Sequence, residues 1–150
     1  MNAIINNQLT LTIALTDEDR QQAINMLHQL NLPTSDIDED KLLYLLKNND
    51  SVIGTAGLEI FEDCGLLRSV SIVKEEQGKG YGKFLNEALE TYAAESGINC
   101  LYLLTTTAKD FFNKQGYCFI EREKAPASVK QTAEFTSLCP SSAVVMKKRL

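Results

Sequence analysis

The chain has 150 residues, of which 44% are hydrophobic and 23% charged, values typical of one globular domain. Its formal net charge of −5 at pH 7 excludes the basic surface that nucleic-acid binding requires. Because no apolar run is long enough for a membrane span and the first residues lack a signal-peptide pattern, we expect a cytoplasmic protein without a membrane partner.

The first half of the chain predicts a strand, then helices, then a meander of three strands, with residues 34–40 as a short helix or a loop. Apolar and polar residues alternate over 9–15, which is typical of a half-buried strand. Thr16 can cap a helix that has three acidic residues in its first turn. Residues 41–47 fit a strand or a helix equally well, whereas residues 51–61 and 66–73 favour strands.

The second half alternates helices with strands. An apolar stripe at helical spacing predicts a helix over 81–94, ended by Gly97. Further helices are predicted over 108–115 and 126–135, and further strands over 100–104, 117–120 and 143–146. The basic residues after the last strand are expected to form an exposed tail. This order indicates a mixed α/β sheet with helices on both faces, in a single domain over 1–150.

The segment with the clearest chemical meaning lies between the strand at 66–73 and the following helix. Gly78, Gly80 and Gly82 alternate there, so the backbone can approach a ligand and adopt positive φ. The free N–H groups at the start of the helix then offer a site for phosphate. A P-loop is excluded because Gly-Lys is not followed by Ser or Thr, and Lys83 occupies the place of the last glycine of a dinucleotide fingerprint.

Two motifs carry a resemblance to a known family. Gln77-x-x-Gly80-x-Gly82, together with the segment 108–117 that ends in Gly-Tyr, resembles the signatures of the GCN5-related N-acetyltransferase (GNAT) superfamily. The resemblance extends over about residues 9–150. More narrowly, residues 32–37, 101–107 and 132–143 are similar to the GNAT subfamily found in bacterial arsenic-resistance operons. The strand end at 103–106, Leu-Leu-Thr-Thr, is also similar to the acetyltransferase domain of amino-acid N-acetyltransferases such as N-acetylglutamate synthase.

The resemblance implies a fold, a co-substrate and an acceptor. The fold would be a mostly antiparallel sheet of about six or seven strands that splays into a V between the fourth and fifth strands, at 66–73 and 100–105. Acetyl-CoA would bind there and donate its acetyl group to a small-molecule amine, such as an amino acid or an arsenic-containing analogue. A homodimer paired through C-terminal strands is a further implication.

The same resemblance implies which residues contact acetyl-CoA. Backbone groups of Ser71, Ile72 and Val73 would pair with the pantetheine arm, and an N–H near Ile72, at a strand bulge, would polarise the thioester carbonyl. The amides from Gly78 to Lys83 would hold the diphosphate. The implied cofactor-binding set is Ser71, Ile72, Val73, Gln77, Gly78, Lys79, Gly80, Tyr81, Gly82, Lys83, Thr105 and Phe112.

The acid and base positions depart from the pattern of the superfamily. Many members place a tyrosine acid where this chain has Phe112, and a glutamate base where Leu66 and Leu67 stand. Phe112 cannot donate a proton, so that role would pass to solvent or to another hydroxyl, such as that of Tyr117 or Tyr102.

Three polar residues are candidates for the remaining roles. Glu59 interrupts an apolar strand and could act as the base through water, or it could be a surface carboxylate. Arg68 could clamp a substrate carboxylate or form a structural salt bridge. Thr106 could line the acceptor side, or it could be an ordinary threonine at the end of a strand.

Two other functions stay open at this point. Because the usual acid and base positions are apolar, the chain could be a non-catalytic acyl-CoA-binding module. It could also bind a metalloid through its thiols, although the four cysteines are dispersed, no C-x-x-C is present and a conventional metal site is not expected. The four cysteines are Cys64, Cys100, Cys118 and Cys139.

Overall fold

A computed structural model of the chain describes residues 3–6, 8–38, 41–138 and 141–150. The chain forms two compact units. The first contains Met1–Leu58 and Ser69–Tyr92, and the second contains Glu59–Arg68 and Ala93–Leu150. No helix among the described residues is long and apolar enough to cross a membrane.

Antiparallel strands and one helix dominate the first unit. The strands are β1 (Ala3–Asn6), β2 (Leu9–Ile13), β3 (Leu42–Asn48) and β4 (Ser51–Ile60), whose last two residues belong to the second unit. From β1 to β4, each strand pairs with the next. Helix α1 (Asp17–Gln29) packs Ala23 against Leu43 and Leu45 of β3 in a buried cluster.

Strand β5 and helix α2 each contribute residues to both units. β5 covers Cys64–Ile72, a short 3₁₀ turn covers Lys74–Glu76, and α2 covers Tyr81–Glu95. The glycine-rich segment of the sequence therefore joins the end of β5 to the start of α2.

The second unit is built from strands of both directions. Its further elements are β6 (Cys100–Thr105), α3 (Lys109–Lys114), β7 (Cys118–Ile120), a 3₁₀ turn (Arg122–Lys124), α4 (Ala127–Lys130), a π-helical segment (Glu134–Leu138) and β8 (Val144–Arg149). β5 pairs with β6 in parallel through Cys64–Leu66 and Cys100–Tyr102. β8 is antiparallel to both β6 and β7.

The mixed, mostly antiparallel sheet expected from the sequence is confirmed. The described strands hydrogen-bond in the order β1-β2-β3-β4-β5-β6-β8-β7. The sheet has eight strands because β1, which the sequence analysis did not predict, pairs with β2. The strands expected to be fourth and fifth are consequently β5 and β6.

Three local expectations can be compared with the structure. Thr16 caps α1 as predicted, since its Oγ1 accepts a hydrogen bond from Asp19 N at 3.0 Å. The ambiguous segment 41–47 is strand β3. The helix predicted over 126–135 is interrupted, because Thr132 Oγ1 donates to Val129 O at 2.7 Å and thus competes with the helical backbone bonds.

The basic residues near the end of the chain do not form the predicted tail, although Arg149 is exposed as expected and Lys147 and Lys148 are half-buried. Lys147, Lys148 and Arg149 belong to β8, where Arg149 pairs with Cys100. Lys148 Nζ also donates to Gln115 O at 2.8 Å. The tail is ordered because β6 and β7 supply backbone partners on both sides of β8, which composition alone could not indicate.

Candidate cofactor site and its surroundings

The glycine turn adopts the backbone conformation that glycine alone favours. Gly78 has φ +82° and Gly80 has φ +86°, both in the left-handed region. No heavy atom lies within 4 Å of a Cβ built on either residue. The required conformation, not crowding, is therefore what calls for glycine here, and the space beside the turn is open.

The first turn of α2 presents backbone donors to this open space. The first intrahelical bond runs from Phe84 N to Gly80 O at 3.2 Å, so the amides of Tyr81, Gly82 and Lys83 precede the regular helical bonds. Gly80 has no side chain that could cap them, and the first turn contains no acidic residue. The helix dipole adds positive potential at the same place, which favours an anion such as a diphosphate.

The lysines of this segment lie at the surface. Lys79 Nζ is 3.0 Å from Glu76 Oε2, and its hydrogen bond to that carboxylate raises the pKa of Lys79. Lys83 Nζ lies 3.9 Å from Glu87 Oε1 one turn further along α2. Because these pairs are exposed, they contribute little to stability and leave both ammonium groups able to screen an anion.

Gln77 ties the glycine turn to the end of β5. Its Nε2 donates to Ile72 O at 2.9 Å. Val73 N donates to Ile53 O on β4 at 2.8 Å, and Val73 O accepts from Glu76 N at 2.9 Å. Because successive backbone groups of a strand point to opposite sides, Ile72 N faces away from β4.

These hydrogen bonds reduce the number of backbone groups that could contact the pantetheine arm. Val73 was expected to offer backbone groups to the pantetheine arm, but its single donor is already used inside the protein. Ile72 O is likewise engaged by Gln77. The N–H of Ile72, in contrast, points away from β4, as a contact with the pantetheine arm would require.

A distortion of β5 precedes these residues. Ser69 has φ +57°, which is uncommon for a residue with a side chain. Thr55 Oγ1 on β4 donates to Ser69 O at 2.8 Å. Ser71 Oγ lies 2.6 Å from Thr55 Oγ1. Since the only hydroxyl hydrogen of Thr55 goes to the carbonyl, Ser71 donates to Thr55. The backbone distortion of β5 that the structure shows thus lies at Ser69, three residues before Ile72.

Gly54 permits the close approach of β4 to this distorted strand. A Cβ on Gly54 would lie 2.7 Å from Ser71 O and 2.8 Å from Ile72 Cδ1, closer than real Cβ contacts. The sequence analysis did not select Gly54 or Thr55 as site residues. A glycine within an otherwise apolar strand was the available signal for the first of them.

In the second unit, Arg68 joins two buried carboxylates. Its Nη1 donates to Glu59 Oε2 at 3.0 Å, and its Nη2 lies 3.3 Å from Glu134 Oε1. Glu59, Arg68 and Glu134 are only 8%, 5% and 7% exposed. The structure therefore supports the salt-bridge explanation for Arg68 over the clamp, and Glu59 is not a surface carboxylate. Glu134 was missed because it is distant in sequence.

The remaining predicted residues also belong to the second unit. Thr105 Oγ1 accepts from Ala108 N at 3.0 Å just before α3, which is a structural role, and Thr106 is exposed. Phe112 is 6% exposed, and its ring centroid lies 5.5 Å from that of Tyr117 in an edge-to-face contact. Phe112 thus fills a hydrophobic position of α3.

Comparison with known proteins identifies the family. The model of the acetyltransferase (GNAT) family matches residues 8–117, well over half of the chain. The chain belongs to the acetyltransferase (GNAT) family. An uncharacterized N-acetyltransferase of Chlorobaculum tepidum is 35% identical to this GNAT chain over 63 residues, which cover 42% of the chain and 40% of that relative. The chain thus matches less than half the length of this relative.

Solved structures show that the GNAT fold extends over nearly the whole chain. N-acetylglutamate synthase from Neisseria gonorrhoeae, complexed with coenzyme A and N-acetyl-glutamate, has a TM-score of 0.76 at 18% identity, over 93% of this chain and 35% of that one. Rv2747 from Mycobacterium tuberculosis, in complex with CoA and NLQ, has a TM-score of 0.73 at 17% identity, over 93% and 99% of the two chains.

Proposed function

We propose that this protein is an acetyl-CoA-dependent N-acetyltransferase acting on a small-molecule amine, within one catalytic domain over residues 1–150. The observation that carries the proposal is the pair of positive-φ glycines, Gly78 and Gly80, leading into a first turn of α2 that contains no acidic residue. Membership of the GNAT family and the coenzyme A complexes of two similar folds support the same conclusion.

The first unit would hold the donor through its backbone. The amides of Tyr81, Gly82 and Lys83 would bind the diphosphate of acetyl-CoA, and the exposed ammonium groups of Lys79 and Lys83 would screen its charge. Ile72 N would donate to the thioester carbonyl, where negative charge develops during attack by the amine. Gln77 would keep Ile72 in place through the bond to its carbonyl.

Transfer requires the amine to attack the acetyl carbon and displace the thiolate of coenzyme A. A C–N bond forms, the C–S bond breaks, and the amine nitrogen loses one proton while the thiolate sulfur gains one. Phe112 cannot supply the proton to sulfur. Glu59 remains our predicted proton acceptor, acting through water, although its bond to Arg68 also supports a purely structural role.

The acceptor is proposed to be an amino acid or an arsenic-containing analogue. The resemblance of residues 103–106 to amino-acid N-acetyltransferases such as N-acetylglutamate synthase supports the amino acid, and the resemblance to the arsenic-resistance subfamily supports the analogue. A clamp of the acceptor carboxylate by Arg68 is not part of this proposal, because Glu59 and Glu134 already contact its guanidinium group. Thr106, which is exposed, stays a predicted acceptor contact.

Coenzyme A binding tests the site directly. Gly80→Glu should raise the Kd measured by isothermal titration at least 10-fold, because the added carboxylate would repel the diphosphate. Gly97→Glu is the matched control, since Gly97 also has positive φ (+91°) and open space but follows the other end of α2. Equal affinity in both variants would contradict the proposed diphosphate site.

A second candidate is a non-catalytic acyl-CoA-binding module. Phe112 and the two leucines at the usual base position, Leu66 and Leu67, are all buried and apolar, which favours it. Release of free thiol from acetyl-CoA, measured with a panel of amino acids and other amines, separates the two functions. Binding of coenzyme A, with no release of free thiol in the presence of any amine tested, would support the binding module.

A further inference from the structure

Two thiols lie side by side in the second unit, outside the residues assigned to acetyl transfer. The parallel register of β5 and β6 pairs Cys64 directly with Cys100. Partners on neighbouring strands are about 4.8 Å apart, and their side chains point to the same face. Both thiols accordingly pack in one hydrophobic cluster with Leu66 and Tyr102.

The two thiols line an open groove of about 850 Å³. Two cations, Lys147 and Arg149, and two acidic residues, Glu62 and Asp63, also line it. In the register of β6 and β8, Arg149 pairs with Cys100, so that Cys64, Cys100 and Arg149 form one row across three strands. A negative charge on Cys100 would therefore lie beside Arg149, whereas the residue before Cys64 in the chain is the acidic Asp63.

Two hydroxyl-bearing side chains, Ser128 and Tyr102, line the same groove as the two thiols.

We propose that Cys64 and Cys100 bind one thiophilic monovalent cation, such as Cu(I) or Ag(I), in two-coordinate geometry. Binding forms two metal–sulfur bonds, breaks two S–H bonds and releases two protons to solvent, with no change of oxidation state. The bis-thiolate complex carries one net negative charge, and Arg149 is the cation that pairs in register with Cys100.

The spacing favours linear coordination over a disulfide. Two metal–sulfur bonds of about 2.3 Å on opposite sides of a metal hold the sulfurs roughly 4.6 Å apart, close to the strand separation. A disulfide requires the two Cβ atoms to approach within about 3.5–4.5 Å, which in-register parallel strands do not provide without movement.

The surroundings exclude a larger metal site in the part of the chain that the structure describes. No group of three or more His, Cys, Asp or Glu side chains there could hold a metal ion, so tetrahedral zinc and iron–sulfur sites lack ligands. Cys118 belongs to β7, which β8 separates from β6, and it is in register with Tyr102, two residues from Cys100, so it lies roughly 12 Å from Cys100. Cys139 lies outside the described residues.

Anaerobic titration of the full chain with Cu(I), in competition with a chromogenic Cu(I) chelator, tests the proposal. We expect one tightly bound equivalent in the unmodified protein. Cys64→Ser and Cys100→Ser should each weaken binding at least 100-fold. Cys118→Ser and Cys139→Ser are the matched controls and should retain it. Loss in either control, or retention in Cys64→Ser or Cys100→Ser, would overturn the two-thiol site.

X-ray absorption of the Cu(I)-loaded unmodified protein keeps the test independent of how well the buried Cys64→Ser variant folds. Two sulfur neighbours at about 2.2–2.3 Å and no third ligand are expected. A third sulfur, or a mixed shell with nitrogen or oxygen, would overturn the proposal. Neither measurement depends on binding of acetyl-CoA.

Discussion

Replacing Gly54 by alanine probes how closely β4 must approach the distorted part of β5. The added Cβ would lie 2.7 Å from Ser71 O and 2.8 Å from Ile72 Cδ1, whereas ordinary contacts begin at 3.4 Å. One of the two strands would have to move by about 0.7 Å. The Ser71 carbonyl cannot move alone, because the Ser71 hydroxyl is bonded to Thr55 on β4.

Two opposing effects decide the stability of Gly54→Ala. Alanine lowers the entropy of the unfolded chain and favours the strand, which stabilises the protein by about 0.5–1 kcal/mol. Overpacking of a buried strand pair costs about 1–3 kcal/mol. The clash prevails because one of the two contacts is with a backbone atom. We therefore expect the free energy of unfolding to fall by roughly 1–2 kcal/mol, which lowers Tm by about 2–8 °C.

The same displacement should weaken coenzyme A binding. Moving Ile72 N misaligns one hydrogen bond to the bound thioester arm, which corresponds to a roughly 3- to 10-fold higher Kd for acetyl-CoA. Thermal unfolding and isothermal titration measure the two effects on the same samples. A Gly54→Ala protein with unchanged Tm and Kd would refute the steric reasoning.

A double-mutant cycle attributes the effect to the named contacts. Ile72→Val removes Cδ1 and thereby one of the two clashes, so Gly54→Ala should cost less in that background. The contact with Ser71 O remains, so the rescue should be partial. Strictly additive changes in the free energy of unfolding would show that Ile72 does not restrict position 54.

Substitutions at three further positions test the buried polar groups. Glu59→Gln and Glu134→Gln each remove one of the two carboxylates that contact Arg68, so both should destabilise the protein, by roughly 3 kcal/mol each in thermal unfolding. Only Glu59→Gln should also abolish turnover at saturating substrate if Glu59 is the base, and equal rates in the two variants would argue against that role. Thr55→Val should lower the free energy of unfolding by about 1–3 kcal/mol through loss of its bonds to Ser69 and Ser71, while Thr55→Ser keeps both bonds; equal stability of the valine and serine variants would contradict this.

Much of the cofactor site could be predicted from the sequence because its determinants are local. Alternate glycines between a strand and an amphipathic helix specify positive φ and an uncapped helix start within a few residues. The sequence could not indicate which backbone groups near the site are already hydrogen-bonded within the protein. The engagement of Val73 by Ile53 depends on how β4 and β5 pair, and that pairing joins residues distant in the chain.

The sequence by itself determined the elements that one stretch of chain specifies: the Thr16 cap of α1, the apolar stripe of α2, and the glycine turn that marks this family. Only the tertiary structure decided that Arg68 lies between two glutamates and that Cys64 is paired with Cys100. The physical reason is that strand register and buried ion pairs depend on segments far apart in sequence, whose pairing no local period encodes.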